Sequence, residues 1–223
     1  EIVYRFKDLV PSADTLVIVN CGGRTRSIVG AQSLINGGVA NKVVSLKNGT
    51  QDWHLYGYEV LKGATRVAPQ VSAEGLASAK VSAQRVAELC KVASISNETL
   101  ARWRSEADTR TLYLLDVRTL EEYEAGHVDG VKHIAGGQLI QETDRHMAVW
   151  GARVVLFDDN GVRATMTASW LRQMGWDVAI ISNEAAGGAT CTGSFQPRVL
   201  GLDNTRSKQI SAQNLKIRLD DGT

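Results

Sequence analysis

The sequence predicts an α/β protein built on a parallel sheet, and three observations predict it. Short apolar runs of strand length alternate with amphipathic runs of helix length. One strand–loop–helix–strand passage recurs, without a gap, at a constant offset of 137 residues. In both passages the helix stops on glycine ahead of the next strand, at Gly37-Gly38 and again at Gly175.

Residues 16–19 form an apolar, β-rich run suited to a buried parallel strand. Residues 27–36 follow as a helix, with Ile28, Ala31, Leu34 and Ile35 on one face. Val43-Val44-Ser45-Leu46 is the next strand, and Lys47-Asn48-Gly49-Thr50 leaves it as a turn. Residues 72–92 are rich in helix formers and predict a linker helix. Asn97 is placed as the cap of a helix reaching Arg104, and residues 111–117 as an apolar strand. A one-turn helical segment, a Gly126-His127 turn and a short strand come next.

The second copy gives a strand at 154–157, a helix at 164–174 and a strand at 178–182. Leu215-Lys216-Ile217-Arg218-Leu219 alternates as a closing strand does. The expected plan is a partial α/β domain at 1–63, a helical linker at 64–95, a complete domain at 96–185, and a linker opening a further unit at 186–223. The start at Glu1 rather than Met suggests a piece excised from a longer polypeptide.

Composition narrows the function classes. Across 223 residues, 25 basic side chains balance 24 acidic ones, which gives no electrostatic reason to expect nucleic acid or an anionic membrane. The apolar runs are far too short to cross a bilayer. Cys21, Cys90 and Cys191 are odd in number and widely spaced, which argues against a disulfide framework or a zinc knuckle. Reduced thiols in a reducing compartment, the cytoplasm, are the expectation.

Cys21-Gly22-Gly23-Arg24-Thr25-Arg26-Ser27 lies between a strand and a helix. Ligands of open α/β sheets bind at that place, outside the carboxyl ends of the strands. Unpaired amides and the positive end of the helix dipole favour an anion there. Gly22 and Gly23 are expected to let the loop amides turn inward as a nest, and Arg24 and Arg26 add two charges. Each effect lowers the thiol pKa, and the thiolate is the nucleophile. The loop suits a tetrahedral oxyanion.

Asp116-Val117-Arg118, Glu122-Tyr123 and Gly126-His127-Val128-Asp129-Gly130 resemble the N-terminal signature of the rhodanese family of sulfurtransferases. Cys21 through Ser27 resembles that family's active-site loop, and Lys47-Asn48-Gly49-Thr50 with Trp53 resembles the segment that follows it. The resemblance implies a three-layer α/β/α fold with a central parallel sheet, repeated in tandem, and catalysis through a Cys21 persulfide without cofactor or metal. This sequence departs from the family pattern in one respect. The first copy has the cysteine without its N-terminal half, and the second is complete without a cysteine.

In the second copy the matching loop is Asp158-Asp159-Asn160-Gly161-Val162-Arg163. Two carboxylates then stand where an anion would bind. At about 4 Å and an effective dielectric near 20, each like-charge contact costs roughly 4 kcal/mol. This loop is therefore read as inactive, a solvated acidic turn capping the helix at Ala164. Asp116 and Arg118 are read as a structural ion pair, and His127 and His133 lack partners at metal-ligand spacing. Cys90 is placed in packing, and Cys191 on a mobile glycine-rich segment. Trp53 and His54 are placed either on the wall of the Cys21 pocket or in the core.

Two other classes stay open at this stage. One is a binding or regulatory module without catalysis. The other is a phosphatase or arsenate reductase, against which the six-residue span from Cys21 to Arg26 counts. A half-domain at 1–63 would also expose sheet edge, to be covered by the second unit or by exchange within a homodimer.

Overall fold

The computed structural model describes residues 1–195, 201 and 210–222. The chain opens with α1 (Ile2–Leu9), β1 (Val17–Val19), α2 (Thr25–Gly37), β2 (Val43–Ser45) and α3 (Gly49–Leu55). The long α4 (Ala73–Cys90) leads to β3 (Ala93–Ser94), α5 (Asn97–Ser105), β4 (Leu112–Asp116), α6 (Leu120–Ala125) and β5 (Lys132–His133). Next come α7 (Gly136–Gln141), α8 (Thr143–His146), β6 (Arg153–Asp158), α9 (Val162–Gln173) and β7 (Asp177–Ser182), with α10 (Ala212–Asp220) beyond.

The larger unit is a five-stranded parallel sheet in the order β3-β7-β6-β4-β5. Its middle strand shows why: Val154, Val155, Leu156 and Phe157 are all fully buried, as a strand covered on both faces requires. Alternation sorts them. Val154 and Leu156 join Ala164, Ala168 and Leu171 of α9 on one face, while Val155 and Phe157 join Leu100 of α5 on the other. The result is the expected α/β/α arrangement around a central parallel sheet.

The smaller unit has two parallel strands, β1 and β2, with Val17 opposite Val43 and Val19 opposite Ser45. Only one face is covered. Val19 packs with Ala31 and Leu34 of α2, whereas Ile18 on the other face is 57% exposed. Its core is completed from outside by Val3 of α1, Val86 of α4 and Met166 of α9. Helices α2 and α9 meet where Trp170 Nε1 donates to Ser33 Oγ at 2.9 Å, two positions 137 residues apart.

Several elements differ from expectation. The closing segment is a helix, α10, because the Ser211 hydroxyl accepts the Asn214 amide at 3.1 Å and caps it. The cap of α5 is Ser96, accepting from Thr99, rather than Asn97. The turn after β2 continues directly into α3. The linker helix forms as placed, capped by Ser72 on Gly75 and ended by Lys91 at φ +54°. Among the described residues no helix is long and apolar enough to cross a membrane.

Candidate functional site

Strand β1 delivers Cys21 to the start of α2, where the thiol is half-buried at the mouth of its loop. Ser27 sits beneath it, 1% exposed, its hydroxyl 2.9 Å from the Arg24 carbonyl. Burial alone pulls the Cys21 thiol upward. The Ser27 hydroxyl, the Ser27 and Gly23 amides and the Arg26 charge outweigh that, and the thiol titrates below its ordinary value. Arg24, Thr25 and Arg26 are exposed around the mouth. Arg26 also reaches the wall of a cavity of about 360 Å³ at the seam between the two units, beside Asn20 and Gln138.

The glycines do not act as the sequence suggests. Neither Gly22 nor Gly23 has the positive φ that favours glycine, and a Cβ on Gly22 would meet nothing within 4 Å. The obligatory glycine is Gly49, at φ +61°, where a Cβ would stand 2.1 Å from the Cys21 carbonyl oxygen and 2.4 Å from that of Gly23. This close approach lets the first turn of α3 hold the loop. Thr50 N donates to Cys21 O and Gln51 N to Gly22 O, both at 3.0 Å. The Thr50 hydroxyl donates to Cys21 O at 3.3 Å and accepts from Asn20 Nδ2 at 3.1 Å. Gly49 and Thr50 lie in the segment that carries a resemblance, but their contacts with the loop, like those of Asn20 and Gln51, were not legible, because only the fold brings α3 against it. Trp53 is not a core residue: it is 44% exposed, donates to Glu59 O at 2.9 Å and leans on Tyr58.

The second loop has a different electrostatic plan. Asp158 is fully buried rather than solvated, and its carboxylate fills the cradle from within. One oxygen accepts Gly161 N at 2.7 Å and the other Ala164 N at 3.0 Å. Ala164 is the counterpart of Ser27, so the same amide faces sulfur in one unit and carboxylate in the other. Burial pushes the Asp158 carboxyl up, against the pull of those amides. Asn160 Oδ1 accepts Val162 N at 3.1 Å, and Gly161 takes the left-handed turn at φ +81°.

Arg163 is 1% exposed and already committed to three carboxylates. It donates to Glu122 at 2.5 Å and to Glu1 and Asp159 at 2.9 Å, with its guanidinium 4.5 Å from the Tyr4 ring. Burial works against its charge, but these carboxylates hold it firmly protonated. In return, and despite its own burial, Glu122 is pulled down to about 2, chiefly by Arg163 and the Thr119 amide.

Asp116 and Arg118 form a buried bidentate pair at 2.7–3.1 Å, and Arg118 also donates to Gly126 O at 2.7 Å. His127 stacks on Tyr123 at 3.8 Å with Nδ1 2.9 Å from Tyr123 O, and His133 Nε2 lies 2.9 Å from Arg118 O. Cys191 is pinned by two backbone bonds to His127, at 2.9 and 3.0 Å, rather than carried on a loose segment. Cys90, at the end of α4, has its sulfur 3.7 Å from Gln173 Nε2. No three described His, Cys, Asp or Glu side chains gather as a metal site.

A central five-stranded parallel sheet with helices on both faces, and loops leading from strand ends into helices, define a class of α/β domain. Residues 96–184 match the model of the rhodanese-like domain, and this part of the chain is such a domain. Among solved structures it is similar to the thiosulfate sulfurtransferase from Pseudomonas aeruginosa, with 45% identity over 99% of this chain and a TM-score of 0.81. This chain spans 41% of the length of that relative. A 3-mercaptopyruvate sulfotransferase from Escherichia coli is a distant likeness, at 16% identity over 83% of this chain and 69% of that one, with a TM-score of 0.32. No curated protein sequence matches.

Proposed function

We propose that this chain moves sulfane sulfur from thiosulfate, or a similar small anion, to a thiol or cyanide acceptor through a persulfide on Cys21. The observation that carries the reading is the half-buried thiol, held below its ordinary pKa by loop amides, the Ser27 hydroxyl and Arg26. The 45% identity to a thiosulfate sulfurtransferase supports it. The Cys21 thiolate attacks the outer sulfur of the donor. A new S–S bond forms, the old one breaks, and sulfite leaves with its electron pair. Gly22, Gly23, Arg24, Thr25, Arg26 and Ser27 surround the terminal sulfur with amides and positive charge. An acceptor nucleophile then takes that sulfur, and the Cys21 thiolate is the leaving group.

The domain plan belongs to the same proposal: a Cys-bearing half-unit at 1–63, a linker at 64–95, a scaffold unit at 96–185 and a connecting segment at 186–223. The Ser33–Trp170 contact at the repeat offset supports the tandem reading. The filled Asp158 cradle supports a non-catalytic role for the second unit, since its own carboxylate takes the amides an anion would need. We place the chain in the cytoplasm because its three cysteines are unpaired.

Thiosulfate treatment followed by intact mass measurement tests the proposal. A gain of about 32 Da, one sulfur, located on Cys21 and absent in Cys21→Ser is expected. Wild-type turnover retained in Cys21→Ser would end the reading.

A further inference from the structure

We propose that Thr50 is a positioning residue for sulfur chemistry at Cys21, acting by holding the Cys21 carbonyl outward against α3. The inference rests on the assignment of Cys21 as nucleophile. It starts from the planarity of the peptide unit. In a trans peptide the C=O and the following N–H point in opposite directions. Gln51 N draws the Gly22 carbonyl toward α3 at 3.0 Å, and the Gly23 amide on the same peptide plane points back at the Cys21 sulfur. Thr50 does the same one peptide earlier. It takes the Cys21 carbonyl with both its amide and its hydroxyl, at 3.0 and 3.3 Å, which turns the Gly22 amide away from α3.

Two further facts separate this arrangement from ordinary loop packing. Neither Gly22 nor Gly23 uses a left-handed conformation, so the amides are not aimed by the backbone preference of their own residues. They are aimed from outside. The Thr50 hydroxyl is itself oriented, accepting from Asn20 Nδ2 at 3.1 Å while donating onward, so Asn20, Thr50 and the Cys21 carbonyl form a short relay. In the second loop the Asp158 carbonyl is also held from behind, by Asn183 N at 2.7 Å, but no described hydroxyl joins that bond, and the Asp158 carboxylate itself takes the Gly161 and Ala164 amides.

The test is the pH dependence of Cys21 alkylation by iodoacetamide, followed on the Cys21 peptide by mass spectrometry. It needs no sulfur transfer. Thr50→Val, which keeps the shape and removes the hydroxyl, is expected to slow alkylation at neutral pH about fivefold, with a midpoint at higher pH. Thr50→Ser is expected to restore the rate to within about twofold of wild type. Sulfur transfer in Thr50→Val should fall in kcat with KM little changed. If Thr50→Val does not fold by circular dichroism, Asn20→Ala reads the relay from its other end, with roughly a twofold slowing. A wild-type midpoint in the folded Val variant, failure of Ser to restore the rate, or, where Asn20→Ala is the reporter, an unchanged midpoint there overturns the proposal. Shifted alkylation in a wild type that never gains sulfur would sink the sulfurtransferase reading and leave Thr50 as positioning residue intact.

Discussion

The loops at Cys21 and Asp158 occupy equivalent places, yet their amides are aimed by different means. At Cys21 the order is imposed from behind: α3 holds the carbonyls, and the concave side stays open for a charged sulfur. At Asp158 a backbone amide, Asn183 N, also holds the carbonyl from behind at 2.7 Å, but a buried carboxylate accepts Gly161 and Ala164 directly from in front. In the second loop the chain thus supplies its own anion to the amides. The second loop keeps a backbone donor behind it, Asn183 N, but lacks the hydroxyl relay of Thr50 and Asn20.

The sharpest way to break this comparison is to disturb the support behind Cys21. Gly49→Ala places a Cβ against two loop carbonyls at a positive φ. Roughly 3 kcal/mol of strain is expected, or about a hundredfold loss in the competent loop population and in sulfur transfer. Transfer assays with circular dichroism would show whether the loop alone is lost. Transplanting the nucleophile asks the converse question. Asp158→Cys is expected to leave position 158 without a stable sulfur adduct by mass spectrometry, because Arg163 is committed to other carboxylates and no relay holds the loop. Sulfur loaded at position 158 in that variant would show that the two loops differ only in one side chain.

A smaller effect concerns the charges beneath the second loop. The folded pKa of Glu122 is depressed to about 2 from 4.5. Its stabilisation is therefore fully present above the unfolded value and is lost as pH falls from about 4.5 toward 2. Glu122→Gln should cost about 2 kcal/mol at neutral pH after allowing for solvent screening, and almost nothing near pH 2. Urea unfolding at a series of pH values would reveal that convergence; a constant difference would assign the loss to packing instead. The smallest expected effect is at the seam, where a double-mutant cycle of Ser33→Ala and Trp170→Phe should give a coupling of about 1 kcal/mol.

The sheet and its flanking helices were legible because their signals are local or periodic. Val154 to Phe157 are apolar without interruption, and α2 and α9 end on glycine. The tail misled because Leu215, Ile217 and Leu219 alternate like a strand, while Ser211, a stronger local signal, caps a helix. The one-turn helix after β4 is fixed by a capping box not singled out from the sequence, Thr119 and Glu122 bonding reciprocally. The loop that carries Cys21 was visible as a strand-to-helix junction. Its supports were not, since Thr50 lies 29 positions away and no periodicity joins them. Nor was the state of Asp158: a carboxylate looks solvated in a sequence until folding closes strands and helices over it. Arg163 finds Glu1 and Glu122 at separations of 162 and 41 residues, which only tertiary structure reveals.

One helix has a consequence for the whole molecule. In α9, Ala164, Ala168 and Leu171 belong to the interior of the larger unit, Met166 belongs to that of the smaller, and Val162 meets Ala79 and Ala83 of α4. The two units are therefore not beads on a string, and heating should melt them in one cooperative transition. The partner without a thiol is then no passenger: strip it away and the half that carries Cys21 loses the wall it leans on.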